Sequence, residues 1–411
     1  MQGLQRGIID LVRASLTQEK AEIAPDFDWN AAYEIGCRHD IIPMLYYGVA
    51  ESGIQPPEDI RQKLRLTAIK CTVLDRNQRA EIDQIEQSFE ARGIDYLPLK
   101  GVAMKPRYPR SEMRTMGDAD ILIREEQYAD IRLIMGELGF TEILESDHEL
   151  VWDKPGLLHL ELHKRLIPSY NKDYYAYYGD GWKLAQKTGS TRYAMRAEDE
   201  FIYLFTHYAK HYRAGGVGIR QMADLFVFLR TYPALDFQYI ETELGKLSLD
   251  VFYRNTRATL SAWFEKGADT DMTDFIMDKI FCSGSFGTLE GRNLSGGARA
   301  AATEKPERVR WHKGIQLVFP SAEAMSKIYP VLKRYKLLLP FVWVHRWAKV
   351  ILFKRGNIRR NFGRINTLTA DNIRGYQAEL NHVGLNFNFG EKEEENRRAK
   401  ATPFRKRKPQ A

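Results

Sequence analysis

The chain has 411 residues, a net charge of +7, 44% hydrophobic and 12% aromatic residues. Those values fit a globular protein of two or three parts and exclude a chain without a sizeable core. Cys37, Cys71 and Cys282 are odd in number and in no ligand motif, which argues against a disulfide framework or structural zinc and for a reducing cytoplasm.

In chain order, residues 3–16 read as an amphipathic helix with Asp10 inside its apolar periodicity, unlike a signal peptide. Residues 29–50 read as a second helix, and 57–92 as a long one ending at Gly93. A short strand at 94–99 follows, with Pro98 confining it to a strand end or an edge. Gly101 then permits a tight turn into a short helix, where free backbone N–H groups suit a phosphate, and Lys100 adds a positive charge. An ordinary turn with a solvated lysine is the plainer account of that corner. The loop 105–114 carries four cations, and Arg114 can either grip a phosphate or pair with the acids that follow it.

Those acids stand in Gly117-Asp118-Ala119-Asp120-Ile121-Leu122-Ile123. In a strand, Asp118 and Asp120 project together while Ala119, Ile121 and Ile123 point the other way. Two like charges so placed repel one another unless a cation joins them, and a pair of divalent ions bridging a nucleotide's phosphates would do so. A helix at 125–138 and strands near 140–145, 149–153 and 157–163 come next. In the last, Leu158, Leu160 and Leu162 form a buried face, and His159, Glu161 and His163 the opposite one. Glu161 is thus a third carboxylate, able to bind a catalytic ion and accept a hydroxyl proton, although a solvated strand face gives the same alternation.

Leu99-Lys100-Gly101, Tyr108-Pro109, Arg114, the Gly117–Ile123 run and Glu161-Leu162-His163 together resemble an uncharacterised bacterial nucleotidyltransferase family of the polymerase-beta-type superfamily. The resemblance is specific over residues 94–165 and looser around 207–224 and 318–347. It implies an α+β fold, a small mixed sheet with flanking helices, embedded in a mainly helical chain. It further implies transfer of a nucleoside monophosphate from a nucleoside triphosphate to an acceptor hydroxyl. Asp118, Asp120 and Glu161 would be catalytic and metal-binding; Lys100, Gly101, Arg114 and Gly117 would hold the nucleotide. The expected ions are two Mg²⁺, with Mn²⁺ as substitute. Lys100-Gly101 stands where most of the superfamily has Gly-Ser, so no serine hydroxyl is supplied there. A small biosynthetic or cell-surface-polymer acceptor is favoured by the resemblance over nucleic acid. A non-catalytic nucleotide-binding or membrane scaffold and an RNA-directed enzyme are the alternatives.

Beyond the core, His207 and His211 share a helix face at i,i+4, as do Arg220 and Asp224 on the next helix, with Gly215, Gly216 and Gly218 between them. His163, His207, Arg220 and Asp224 are expected to line the cleft, although Arg220 and Asp224 can equally form a helix salt bridge. Residues 283–304, rich in Gly, Ser and Ala, read as a flexible loop. Residues 333–364 hold ten cations and no acid, interleaved with Phe341, Trp343, Trp347 and Phe353. That pattern fits an anionic membrane surface, a nucleic acid less well, or a packed helical hairpin with a solvated basic face. No uncharged apolar run of about 18 residues is present, so a conventional membrane span is not expected. The chain is thus divided into a helical region 1–92, a core 93–166, a helical domain 167–330, the basic segment 331–365 and a partly disordered tail 366–411. The expected location is cytoplasmic, with a peripheral membrane position on its inner face allowed.

Overall fold

Four amphipathic helices open the chain: α1 (Gln2–Thr17), α2 (Trp29–Arg38), α3 (Ile42–Ser52) and α4 (Glu58–Ala91). The structure, a computed structural model, describes residues 2–169, 171–285, 287–301, 305–326, 328–353 and 365–386. The stretch 29–50, expected as one helix, is two. Asp40 takes a left-handed backbone (φ 55°), and Pro43, which lacks an N–H, starts a helix more readily than it continues one. A Cβ on Gly48 of α3 would meet the Leu11 carbonyl oxygen of α1 at 2.0 Å, so only glycine allows that close crossing.

The central stretch folds on period-two alternation. Strands β1 (Tyr96–Leu99), β2 (Ala119–Ile123), β3 (Thr141–Glu145), β4 (Glu149–Lys154) and β5 (Leu158–His163) form one sheet in the order β1-β2-β5-β4-β3. Only β2 and β5 run parallel; the other pairs are antiparallel. A parallel pair needs a crossover, which α6 (Tyr128–Glu137) with the β3–β4 hairpin supplies, while α5 (Lys100–Met104) joins β1 to the loop before β2. Ala119, Ile121 and Ile123 join Leu158, Leu160 and Leu162 in one buried cluster, closed by Ile85 and Phe89 of α4 and Ile131 and Ile134 of α6. The opposite face of β2 and β5 carries Asp120, Glu161 and His163, together with buried Leu122. This is the α+β core the sequence implies.

A short helix α7 (Lys172–Tyr178) and a two-stranded hairpin, β6 (Ala185–Lys187) and β7 (Tyr193–Met195), lead to α8 (Ala197–Arg213), α9 (Ile219–Thr231), α10 (Phe237–Lys246), α11 (Asp250–Phe264) and α12 (Asp271–Ser283). Tilted and stacked ring contacts of Phe205 and Tyr208 with Phe252 bind α8 to α11. The chain divides into two compact units, one of residues 1–212 with 216–287 and one of residues 213–215 with those from 288 onward.

The second unit contains α13 (Leu289–Ala301), α14 (Pro306–Val318), α15 (Ala322–Ser326), α16 (Val331–Arg334), α17 (Leu339–Phe353) and α18 (Ala370–Val383). Helix α13 lies inside the stretch read as a flexible loop. Its small residues are a packing device: a Cβ on Gly297 would meet Leu368 at 2.9 Å and Ile373 of α18 at 3.2 Å. Residues 354–364 of the basic segment and the charged stretch after 386 lie outside the described residues.

Candidate active site

Parallel pairing sets Asp120 of β2 directly opposite Glu161 of β5, which puts both carboxylates on the same face of the sheet. Asp118 stands in the bend just before β2 and is half-buried. Lys100 lies opposite on the β1 side and reaches the Asp120 Oδ1 at 2.6 Å. Its backbone is left-handed, with φ +44°. The sequence assigned the tight turn to Gly101; the left-handed residue is its neighbour. Gly101 is needed for a different reason, because a Cβ there would press on Met116 Sδ at 2.7 Å and Arg114 Nη1 at 2.8 Å. Gly117 is exposed on the approach to β2, and a side chain there would meet nothing within 4 Å.

His163, two residues after Glu161 on the same face, joins the acids. Its Nε2 lies 2.7 Å from Asp120 Oδ1 and 3.4 Å from Glu161 Oε2. Ligand atoms of Asp120, Glu161 and His163 all fall within 4.8 Å of one another, as do those of His148, Glu149 and His163. The charges are unevenly shared. Burial opposes ionisation of Asp120, but Lys100 and the imidazole outweigh it and hold its carboxyl below the usual carboxylate range. The hydrogen bond from His163 likewise lowers Glu161, against burial. Asp118 goes the other way: burial first, then repulsion from Asp120, pushes its carboxyl up.

Helices α8 and α9 form the facing wall of a cavity of about 300 Å³. His163, His207, Lys210, Arg220 and Asp224 all lie on its lining, with the three acids. His207 and His211 approach ring to ring at 4.4 Å, but among the described residues they join no cluster of three metal ligands. Burial keeps the His207 imidazole neutral, well below its ordinary range. Burial and the nearby Lys100 lower the Lys210 ammonium to about 8.

Arg114 pairs with neither Asp118 nor Asp120. Its Nε and Nη2 each donate to Asp224 at 3.0 Å, a buried bidentate pair that Tyr108 completes through its hydroxyl at 2.7 Å. Both Asp224 oxygens are therefore spent on Arg114, and the helix salt bridge to Arg220 does not form. Arg220 instead donates Nη1 to the Thr115 carbonyl at 2.7 Å. Among the cavity residues that escaped the sequence reading are His148, Glu149 and Lys210. Glu149 could have been found, since β4 pairs antiparallel with β5 and places it opposite His163. Lys210 lies between the two histidines that were noticed.

A comparison with curated proteins finds no match. Among solved structures, the antibiotic-resistance factor ANT(2'')-Ia is similar over 47% of this chain and 99% of its own, at 14% identity and a TM-score of 0.32, a distant likeness. The profile of a family described as uncharacterised nucleotidyltransferase matches residues 25–265. That span is more than half of the chain and contains the five-stranded sheet with α8 and α9, so the chain belongs to this nucleotidyltransferase family and is a transferase acting on a nucleoside triphosphate and an acceptor.

Proposed function

We propose that the enzyme moves a nucleoside monophosphate from a nucleoside triphosphate to the hydroxyl of a small acceptor, with divalent cations held by Asp118, Asp120 and Glu161. The observation that carries this reading is the meeting of Asp120 and Glu161 across β2 and β5, with Asp118 on the lining of the same cavity in an environment that disfavours its charge. Such a group calls for a cation, and an all-oxygen acid set suits Mg²⁺, with Mn²⁺ tolerated beside His163. When bound, the cations neutralise phosphate charge and ease deprotonation of the acceptor.

The side chains supply the rest. Glu161, kept ionised by His163, is the group to accept the acceptor proton. Lys100 keeps Asp120 ionised and sets a positive charge where phosphate oxygens would lie. Lys210 and Arg220 add cationic character to the opposite wall. The preference for a small acceptor over a polymer strand comes from the family resemblance. The test is calorimetry with Mg²⁺ and each nucleoside triphosphate on wild type and on Asp118→Asn/Asp120→Asn. Lost binding in the double variant is expected; unchanged affinity would overturn the assignment. Pyrophosphate release by the wild type with pooled hydroxyl acceptors separates an enzyme from a nucleotide-sensing scaffold.

A further inference from the structure

We propose that the second unit carries a docking surface for an anionic lipid bilayer on the exposed face of α17 and the turn before it. Helix α17 is rich in apolar residues on both sides. Its inner side is accounted for: Val342 packs with Met325 and Leu332. Trp343 and Trp347 meet Phe319 edge-on, and their indole N–H groups donate to the Pro320 and Val318 carbonyls at 2.9 and 2.8 Å. These two tryptophans therefore hold the unit together, as the packed-hairpin reading of the segment has it.

What remains outside is apolar as well. Leu337 is 92% exposed, Phe341 73% and Val344 59%. Phe341 and Val344, three residues apart, share one side of α17, and Leu337 stands in the 3-10 turn just before that helix. A soluble fold seldom leaves a row of that size in water without a partner. Arg334, Lys336 and Lys349 are exposed in the same segment, and no Asp or Glu occurs between Glu323 and Asp371 to neutralise them.

The chain itself offers little to cover the row. Residues 354–364 contribute five more cations, no acid, and only Ile358 and Phe362 as large apolar groups. Residues 387–411 are dominated by charge. Exposed apolar groups among unopposed cations complement a leaflet of acyl chains beneath anionic headgroups. No helix among the described residues is long and apolar enough to cross a membrane, so the attachment is to the surface.

The test is flotation of the full chain with vesicles of phosphatidylcholine alone and with about one third phosphatidylserine. Binding to the anionic vesicles alone, weakening with added salt, is expected. Leu337→Ser/Phe341→Ser and Lys336→Glu/Lys349→Glu should each reduce it by at least about tenfold while the melting temperature stays at the wild-type value. Equal binding to neutral vesicles, or variants that bind like wild type, would overturn the proposal. So would a protein that ignores vesicles and binds single-stranded RNA through the same lysines.

Discussion

Asp118 and Asp120 stand two residues apart and live in different electrostatic worlds. From the sequence alone they are a repelling pair, and neutralising both should ease the fold. The geometry separates them. Asp120 is buried against Lys100 and His163, so Asp120→Asn strands a largely buried ammonium and should cost about 3 kcal/mol or more. Asp118→Asn removes a carboxylate whose charge is disfavoured, and should raise metal-free stability. Urea unfolding of the two single variants checks this; shifts of the same sign would refute it. Glu161→Gln should act on turnover instead. We expect kcat to fall by orders of magnitude while Mg-nucleotide affinity drops less than about tenfold, roughly 1.4 kcal/mol. Wild-type turnover in that variant would remove Glu161 from the acid set.

At the scale of elements, the Arg114–Asp224 pair fastens α9 to the loop that delivers β2. Asp224→Ala leaves a buried guanidinium without its partner, and a loss of about 3–5 kcal/mol is expected. A double-mutant cycle with Arg114→Met should recover much of that loss, because the stranded charge is gone. Additive losses would show that the pair is not coupled. This fastening also marks where sequence reading ends. The five strands of the central sheet and the long helix α4 were legible because alternation and helical periodicity are local, whereas the short β6–β7 hairpin was not read. Arg114 and Asp224 are 110 residues apart, and nothing in their own neighbourhoods says that they meet. Lys210 was hidden for the same reason: which side of α8 faces the acids depends on how the helix docks. Glu161 was legible because its strand announces both of its faces.

For the whole molecule, two compact units imply two cooperative cores. Gly297→Val would force α13 away from α18, an overpacking cost of about 1–3 kcal/mol. The variant should lower one calorimetric transition, while Mg-nucleotide affinity, which belongs to the other unit, stays at the wild-type value. Loss of nucleotide binding alongside the thermal shift would show that the cores are not independent. Helix α13 is also the clearest misreading of composition. Gly, Ser and Ala clusters usually mark loops, and here they mark a helix that must approach its neighbour closely.

The left-handed backbone at Lys100 has a consequence for how this site can vary. A side chain in that conformation costs roughly 1–3 kcal/mol, and β-branched residues bear it worst. A library randomised at position 100 and filtered only for folded protein should therefore lose the β-branched residues first and keep Gly and Asn beside Lys, which also neutralises buried Asp120. The same library filtered for turnover should return Lys. The two spectra would diverge at one codon, which makes position 100 a place where selection for folding and selection for chemistry can be told apart by counting survivors.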